Sequence, residues 1–205
     1  AGGHSGFDAA SSNGLRALPQ PLHLLEYTFG TGHYHLGLFD TVDEAICIAQ
    51  DRTSSVAAES LQHAEQVLDI GCGLGGTTRL LACRAKSVTA LDPAAAAIEF
   101  ARCKAIPPGG PHDLGFVHAT LHEFAASAPQ RFSGAVAIDV LPHFPSLDEF
   151  FADCRGLLER GARLAVHDVC SDANQSFERV PFHRLGEVPA RAAAAGFALI
   201  HRHDE

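Results

Sequence analysis

The chain runs to 205 residues, 46% of them apolar, with 24 acidic against 15 basic side chains and a formal charge of −9. That size suits one α/β domain with a covered sheet, and the charge, without any basic block, excludes nucleic acid or an anionic membrane held through a broad surface field. No apolar run approaches the roughly 20 residues of a membrane helix and no charged-then-apolar signal segment opens the chain, so a soluble, cytoplasmic protein is expected.

Residues 1–13 are rich in Gly, Ser and Ala without periodicity and read as a flexible lead. Residues 14–66 are expected to form an N-terminal helical cap over the active site, and residues 67–205 the core. Within the cap, Val42, Ala45, Ile46, Ala49, Val56, Ala57 and Leu61 predict a helix over 41–64, with Thr41 as its N-cap and Glu44 three residues on. The run Val67-Leu68-Asp69-Ile70 has the length and branching of a buried parallel strand, and the helical stretch from Thr77 to Ala82 follows it. Gly71, Gly73, Gly75 and Gly76 therefore fall in a strand-to-helix turn, where glycine permits positive φ and close approach of a ligand, and the new helix offers unpaired N–H groups.

A second strand is expected over 87–92, ending in Asp92. A helix over 93–104 opens with Pro93 in its first turn and is broken by the Pro-Pro-Gly-Gly-Pro run at 107–111. Third, fourth and fifth strands precede Thr120, Asp139 and Asp168, helices are expected over 147–158 and 185–195, and Phe197 to Glu205 reads as a sixth strand after Gly196. The order βαβαβαβαβαβ predicts a doubly wound, Rossmann-like, mostly parallel sheet with helices on both faces. Asp69, Asp92, Thr120, Asp139 and Asp168 would then cluster at the carboxyl ends of the strands, where such sheets bind ligands.

Gly71-Cys72-Gly73-Leu74-Gly75-Gly76 satisfies G-x-G-x-x-G, so a nicotinamide dinucleotide has to be weighed. Asp69 argues against it. A pyrophosphate wants helix N-terminal N–H groups and gains nothing from a carboxylate two residues before the first glycine, whereas a cationic ligand gains a great deal. S-adenosylmethionine carries both an ammonium and a sulfonium. Asp69 can anchor or favour its amino-acid end, and Asp92 can accept both ribose hydroxyls.

On these residues the chain resembles the class I S-adenosylmethionine-dependent methyltransferases. Asp69-Ile70-Gly71-Cys72-Gly73-Leu74-Gly75 matches the D/E-x-G-x-G-x-G motif, and Ser87 to Asp92 looks like the second strand with its ribose-binding acid. Residues 131–144 are similar to the fourth strand and its following loop, and residues 157–168 to the approach to strand five. The segment Gly30-Thr31-Gly32-His33-Tyr34-His35-Leu36-Gly37-Leu38-Phe39 resembles one in the small-molecule branch, similar to tocopherol, sarcosine/dimethylglycine and natural-product methyltransferases, where it folds over the cofactor.

The resemblance implies cofactor contacts from Tyr34, Asp69, Gly71, Cys72, Gly73, Gly75, Asp92, Pro93, Thr120, Leu121 and Asp139, with S-adenosylhomocysteine as product. Two departures stand out. Thr120 occupies the position where the family has Asp or Asn to accept from the adenine amino group, and a hydroxyl can still accept. Glu159-Arg160-Gly161-Ala162 replaces a structural Lys-Pro-Gly-Gly turn. The family also adds a reversed seventh strand, which is expected to be missing from this chain.

The reaction implied is methyl transfer to an O, N or C atom of a small organic acceptor, in specialised metabolism. If the acceptor must lose a proton, histidine is the side chain suited to take it near neutral pH. His143, after strand four, and His35 are the candidate catalytic groups. In an extended segment His33 and His35 point the same way and Tyr34 the other. H-x-H is also a metal-ligand spacing, but no further ligand is identifiable by spacing and no metal is expected. His201 and His203 are expected to face solvent.

The six cysteines show no C-x-x-C pair and read as reduced thiols. Two rival functions use the same turn: a nicotinamide-dependent oxidoreductase, and a non-catalytic domain that holds S-adenosylmethionine as a regulatory ligand. An unpaired sheet edge would invite a partner chain, so a homodimer is also an expectation.

Overall fold

The computed structural model describes residue 30 and residues 32–61, 63–104, 113–127, 130–172, 176–177 and 180–202. The expected lead at 1–13, the break at 107–111 and His203 lie outside the described residues. Five strands form one all-parallel sheet: β1 (Gln66–Ile70), β2 (Ser87–Asp92), β3 (Asp113–His118), β4 (Phe132–Ile138) and β5 (Leu158–His167). Their order is β3-β2-β1-β4-β5. The winding reverses between β1 and β4, the switch point at which such sheets open a ligand crevice.

Alternation along the strands covers both faces. Val67, Val136 and Ile138 pack against α1 (Ile46–Ser60) and α2 (Gly76–Ala82) through Ala57, Ala58 and Leu81. Ala90 and Cys72 meet Ile98 of α3 (Ala95–Cys103) on that same side. Leu68, Ile70, Ala135 and Ala137 face the other way, onto α4 (Leu121–Ser127), α5 (Leu147–Leu157) and α6 (Glu187–Ala194). There Phe150 and Phe151 are fully buried and stack edge to face at 5.0 Å. A short antiparallel pair, β6 (Ser176–Phe177) with β7 (Val180–Pro181), follows β5. Among the described residues no helix is long and apolar enough to cross a membrane, and no group of three or more His, Cys, Asp or Glu could hold a metal ion.

Three boundaries differ from expectation. The first helix starts at Ile46 without a side-chain cap. Glu44 is held instead by Arg52, whose two terminal nitrogens donate to its carboxylate at 2.6 and 2.7 Å, so it cannot complete a box with Thr41. Helix α3 begins after Pro93, because Asp92 Oδ1 accepts from the Ala94 amide at 2.8 Å and holds the chain in a turn first. Over its described residues, 197–202, the expected sixth strand does not form. Phe197 packs 6.0 Å from Phe151, but Leu199 and Ile200 are 67% and 71% exposed and β5 pairs only with β4 among the described strands. Alternating apolar residues supply propensity, and a strand also needs a ladder partner.

Candidate functional site

The turn between β1 and α2 is built as the glycines require. Gly71 has φ +70, and a Cβ there would stand 2.4 Å from Val140 Cγ1. Gly73, at φ +51, is open: its nearest neighbour would be Tyr34 Cβ at 3.8 Å, which leaves a ligand access to bare backbone. The turn's N–H groups are largely committed within the chain. Gly71 and Cys72 donate to the Leu91 carbonyl, Gly73 to Asp92 Oδ2, Gly75 to the Cys72 carbonyl and Gly76 to the Gly32 carbonyl, all within 2.8–3.0 Å. The helix start expected to offer unpaired donors is thus capped at Gly76, because the segment before α1 crosses over it. A nest for pyrophosphate is not on offer from these five amides.

Carboxylates surround this turn. Asp69 is 3% exposed and accepts from Thr78 Oγ1 at 2.6 Å. Burial pushes its carboxyl up to about 7, and Asp92 nearby pushes the same way while Thr78 opposes. Its place is beneath the turn, on α2. Asp92 spans the tip of β2, accepting from Gly73 at 2.9 Å and Ala94 at 2.8 Å. Burial drives the Cys72 thiol up, so it stays protonated and acts as a small apolar group.

Next to Asp92 a cleft of about 640 Å³ is lined by Pro93, His118, Ala119, Thr120, Glu123 and Phe124. Thr120 does not turn its hydroxyl to ligand duty alone. Its Oγ1 donates to Glu123 Oε2 at 2.8 Å and accepts from the Glu123 amide at 3.2 Å, while its own amide donates to Glu123 at 2.9 Å. Thr120-x-x-Glu123 is a capping box that starts α4, a signal present in the sequence and passed over there. Leu121 is buried in the core at 2% exposure.

The segment before α1 places His33 and His35 on one side, with ring centroids 4.7 Å apart, and leaves Tyr34 48% exposed on the other. The Leu36 carbonyl, which can only accept, stands 2.8 Å from His35 Nδ1, so that nitrogen carries the proton. His35 Nε2 faces His33 Nδ1 at 3.0 Å and Ser54 Oγ at 3.2 Å. Burial first, then His33 and His167, bring its ring down to about 4, against the Leu36 carbonyl and Asp139, which raise it. With both nitrogens engaged and the ring neutral, His35 holds the segment in place and has no free lone pair for an acceptor's proton.

At the ends of β4 and β5, Asp139 has φ +51, the only positive φ outside glycine among the described residues. Its Oδ2 accepts from the Leu36 amide at 2.6 Å and its amide donates to the His167 carbonyl at 2.8 Å. Asp168 accepts from the Leu141 amide at 2.7 Å, and burial pushes its carboxyl up to about 6. His143 ends the 3₁₀ turn Leu141–His143, exposed, its side chain without a hydrogen-bond partner among the described residues. Its turn follows Asp139 directly and is tied to Asp168 through the Leu141 amide. The structure also brings His167 to Asp139, its Nδ1 3.5 Å from Asp139 Oδ1. Sequence reading passed over His167 because its nearness to Asp139 follows only from the pairing of Ile138 with His167.

The donor set fits a cation: Asp69, Asp92, Asp139 and Asp168 stand at the strand ends, and the groups that shift Asp69 and Asp168 include no basic side chain. Residues 68–166 match a family described as a methyltransferase domain. The ubiquinone biosynthesis O-methyltransferase of Saccharophagus degradans is 33% identical over 104 residues, 50% of this chain and 43% of that protein. The chain spans about half the length of the curated relatives it matches. The fold is similar to the cyclopropane synthase MmaA2 of Mycobacterium tuberculosis, with TM-score 0.72, 18% identity, and 96% of this chain and 73% of that one covered. It is similar also to the geranyl diphosphate C-methyltransferase of Streptomyces coelicolor, solved with S-adenosyl-L-homocysteine, with TM-score 0.67, 15% identity, and 92% and 79% covered.

Proposed function

We propose that the chain is a class I S-adenosylmethionine-dependent methyltransferase that moves a methyl group from S-adenosylmethionine to a small organic acceptor, in specialised metabolism, a reading supported by the methyltransferase-domain match over 68–166 and by the fold. The observation that carries this reading is the pairing of a glycine turn whose amides are already bonded with carboxylates at the strand ends. Such a site gives a pyrophosphate little and a sulfonium or ammonium much. When bound, the cofactor supplies an electrophilic methyl group on a positively charged sulfur.

The chain's own residues divide the work of holding it. Asp92 accepts the ribose hydroxyls on lone pairs left over from Gly73 and Ala94. Gly73 allows close backbone approach, Pro93 and the cleft beside it take the adenine, and Tyr34 lies over the turn. Asp69 supplies negative charge from below through the turn. Held in line, a nucleophile and a methyl group need little more than position for much of the acceleration.

Calorimetric titration with S-adenosylhomocysteine, NAD and NADP side by side tests the cofactor. Selective binding of S-adenosylhomocysteine, weakened at least tenfold in Asp92→Ala, is expected, and binding of a nicotinamide cofactor instead would overturn the reading. Turnover is tested by transfer of labelled methyl from S-adenosylmethionine to a panel of phenols, amines and short isoprenoids. A chain that binds the cofactor and methylates none of them would be a ligand-binding domain.

A further inference from the structure

We propose that His167, aligned by Asp139, is the group that takes the proton from the acceptor, and that the acceptor is therefore a hydroxyl compound, an alcohol or phenol. This rests on the reading of the site as a methyl-transfer site. Asp139 Oδ1 and His167 Nδ1 are both buried without a hydrogen-bond partner, yet they face each other at 3.5 Å. Leaving two polar atoms buried and unpaired is costly, and catalytic hydrogen bonds are often long until a ligand closes the site.

Asp139 is placed by more than one restraint. The Leu36 amide holds its Oδ2 at 2.6 Å, its own amide is held by His167 O at 2.8 Å, and its backbone sits at φ +51, a conformation kept only where the surroundings impose it. Its remaining oxygen is left to His167. A proton on Nδ1 directed at that oxygen puts the lone pair on Nε2. The His167 side chain is 27% exposed while Nδ1 is fully buried, so the accessible edge of the ring is the Nε2 side. The groups facing this ring are Asp139 from β4 and His35 from the segment before α1, and His35 has both nitrogens engaged.

The hydroxyl class follows from what such a base is for. A neutral hydroxyl becomes a good nucleophile only as its proton leaves, so it needs a base within the transfer step itself, whereas an amine that has already given its ammonium proton to solvent attacks through a free lone pair. As the oxygen–methyl bond forms, the methyl–sulfur bond breaks with its electron pair going to sulfur, and the hydroxyl proton passes to Nε2 of His167. The imidazolium so formed is balanced by Asp139 and returns its proton to solvent.

The tautomer of His167 tests the arrangement without any acceptor. Long-range ¹H–¹⁵N spectra of the full chain with S-adenosylhomocysteine are expected to show Nδ1–H with Nε2 bare. In Asp139→Asn the Leu36 amide claims the amide oxygen, so the NH₂ faces Nδ1 and the tautomer inverts to Nε2–H. An Nε2–H tautomer in the unaltered chain overturns the proposal, while failure of S-adenosylhomocysteine to bind overturns the methyltransferase reading itself. With catechol and benzylamine as probes, transfer to catechol is expected, falling about a hundredfold in His167→Gln while S-adenosylhomocysteine affinity stays within twofold. Transfer to benzylamine alone, or catechol turnover unaffected by His167→Gln, also overturns it.

Discussion

The amide of Leu36 donates to Asp139 Oδ2 at 2.6 Å, a bond that joins chain positions 103 residues apart. It fastens the segment before α1 to the end of β4, and the Gly76 amide on the Gly32 carbonyl at 2.9 Å fastens the same segment to α2. The segment therefore bridges the two sides of the crevice that opens at the sheet's switch point.

Leu36→Pro removes the donor, and little side-chain packing is lost because Leu36 is 58% exposed. A hydrogen bond to a charged group contributes about 1.5–3 kcal/mol. Cleavage within residues 32–40 by a nonspecific protease is expected to become at least tenfold faster while the melting of the core changes little; equal cleavage in both chains would show that the segment is held elsewhere.

Asp69 sets a pH dependence whose sign can be worked out. Its carboxyl lies at about 7 when folded against an ordinary value of 3.8, so folding takes up a proton between those values and stability is lost as pH rises through them. Asp168, raised to about 6, acts the same way over its own range. In urea unfolding of the cofactor-free chain, wild type minus Asp69→Asn is expected to fall from about pH 4 to about pH 7 and then level. A flat difference would mean that Asp69 stays ionised.

His35 works in the opposite direction. Its ring is brought from 6.5 to about 4, so the stability it contributes is present above 6.5 and is lost as pH falls through about 4. Wild type minus His35→Gln, from the same unfolding series, is expected to rise between pH 4 and 6.5. His35→Gln is also expected to leave the pH profile of methyl transfer unchanged, and a lost acidic limb would restore His35 to the chemistry.

Thr120→Ala separates two jobs for one hydroxyl. The capping box predicts a loss of about 1 kcal/mol of stability with S-adenosylhomocysteine affinity within threefold of wild type. A tenfold loss of affinity at unchanged stability would assign the hydroxyl to the adenine instead.

Legibility in the sequence followed the range of the interaction. The glycine turn, Asp69 and Asp92 could be read because a strand, its turn and the next helix are neighbours in the chain, and the Asp92 bond to Gly73 spans 19 residues within that unit. Thr120 was equally local, but its likeness to an adenine-contacting position hid the capping box it forms with Glu123. His167 was out of reach because only the β4–β5 register sets it beside Asp139. His35 looked like a base from its residue type, and only its burial and its two engaged nitrogens give it the other role. At Leu199 and Ile200 the apolar pattern expressed strand propensity without the neighbour that would use it.

The depth at which Asp69 lies makes arrival of the cofactor a change in the protein's proton inventory. With its carboxyl at about 7, Asp69 is neutral for much of the time at pH 6.5. A sulfonium held near it would favour the carboxylate, so the proton would leave as the positive charge enters. The buried region thus exchanges one cation for another, and the desolvation that an isolated buried carboxylate would suffer is never fully felt. Titration of S-adenosylmethionine at pH 6.5 in buffers of differing ionisation enthalpy is expected to report release of a substantial fraction of one proton, at most about three quarters, and none in Asp69→Asn.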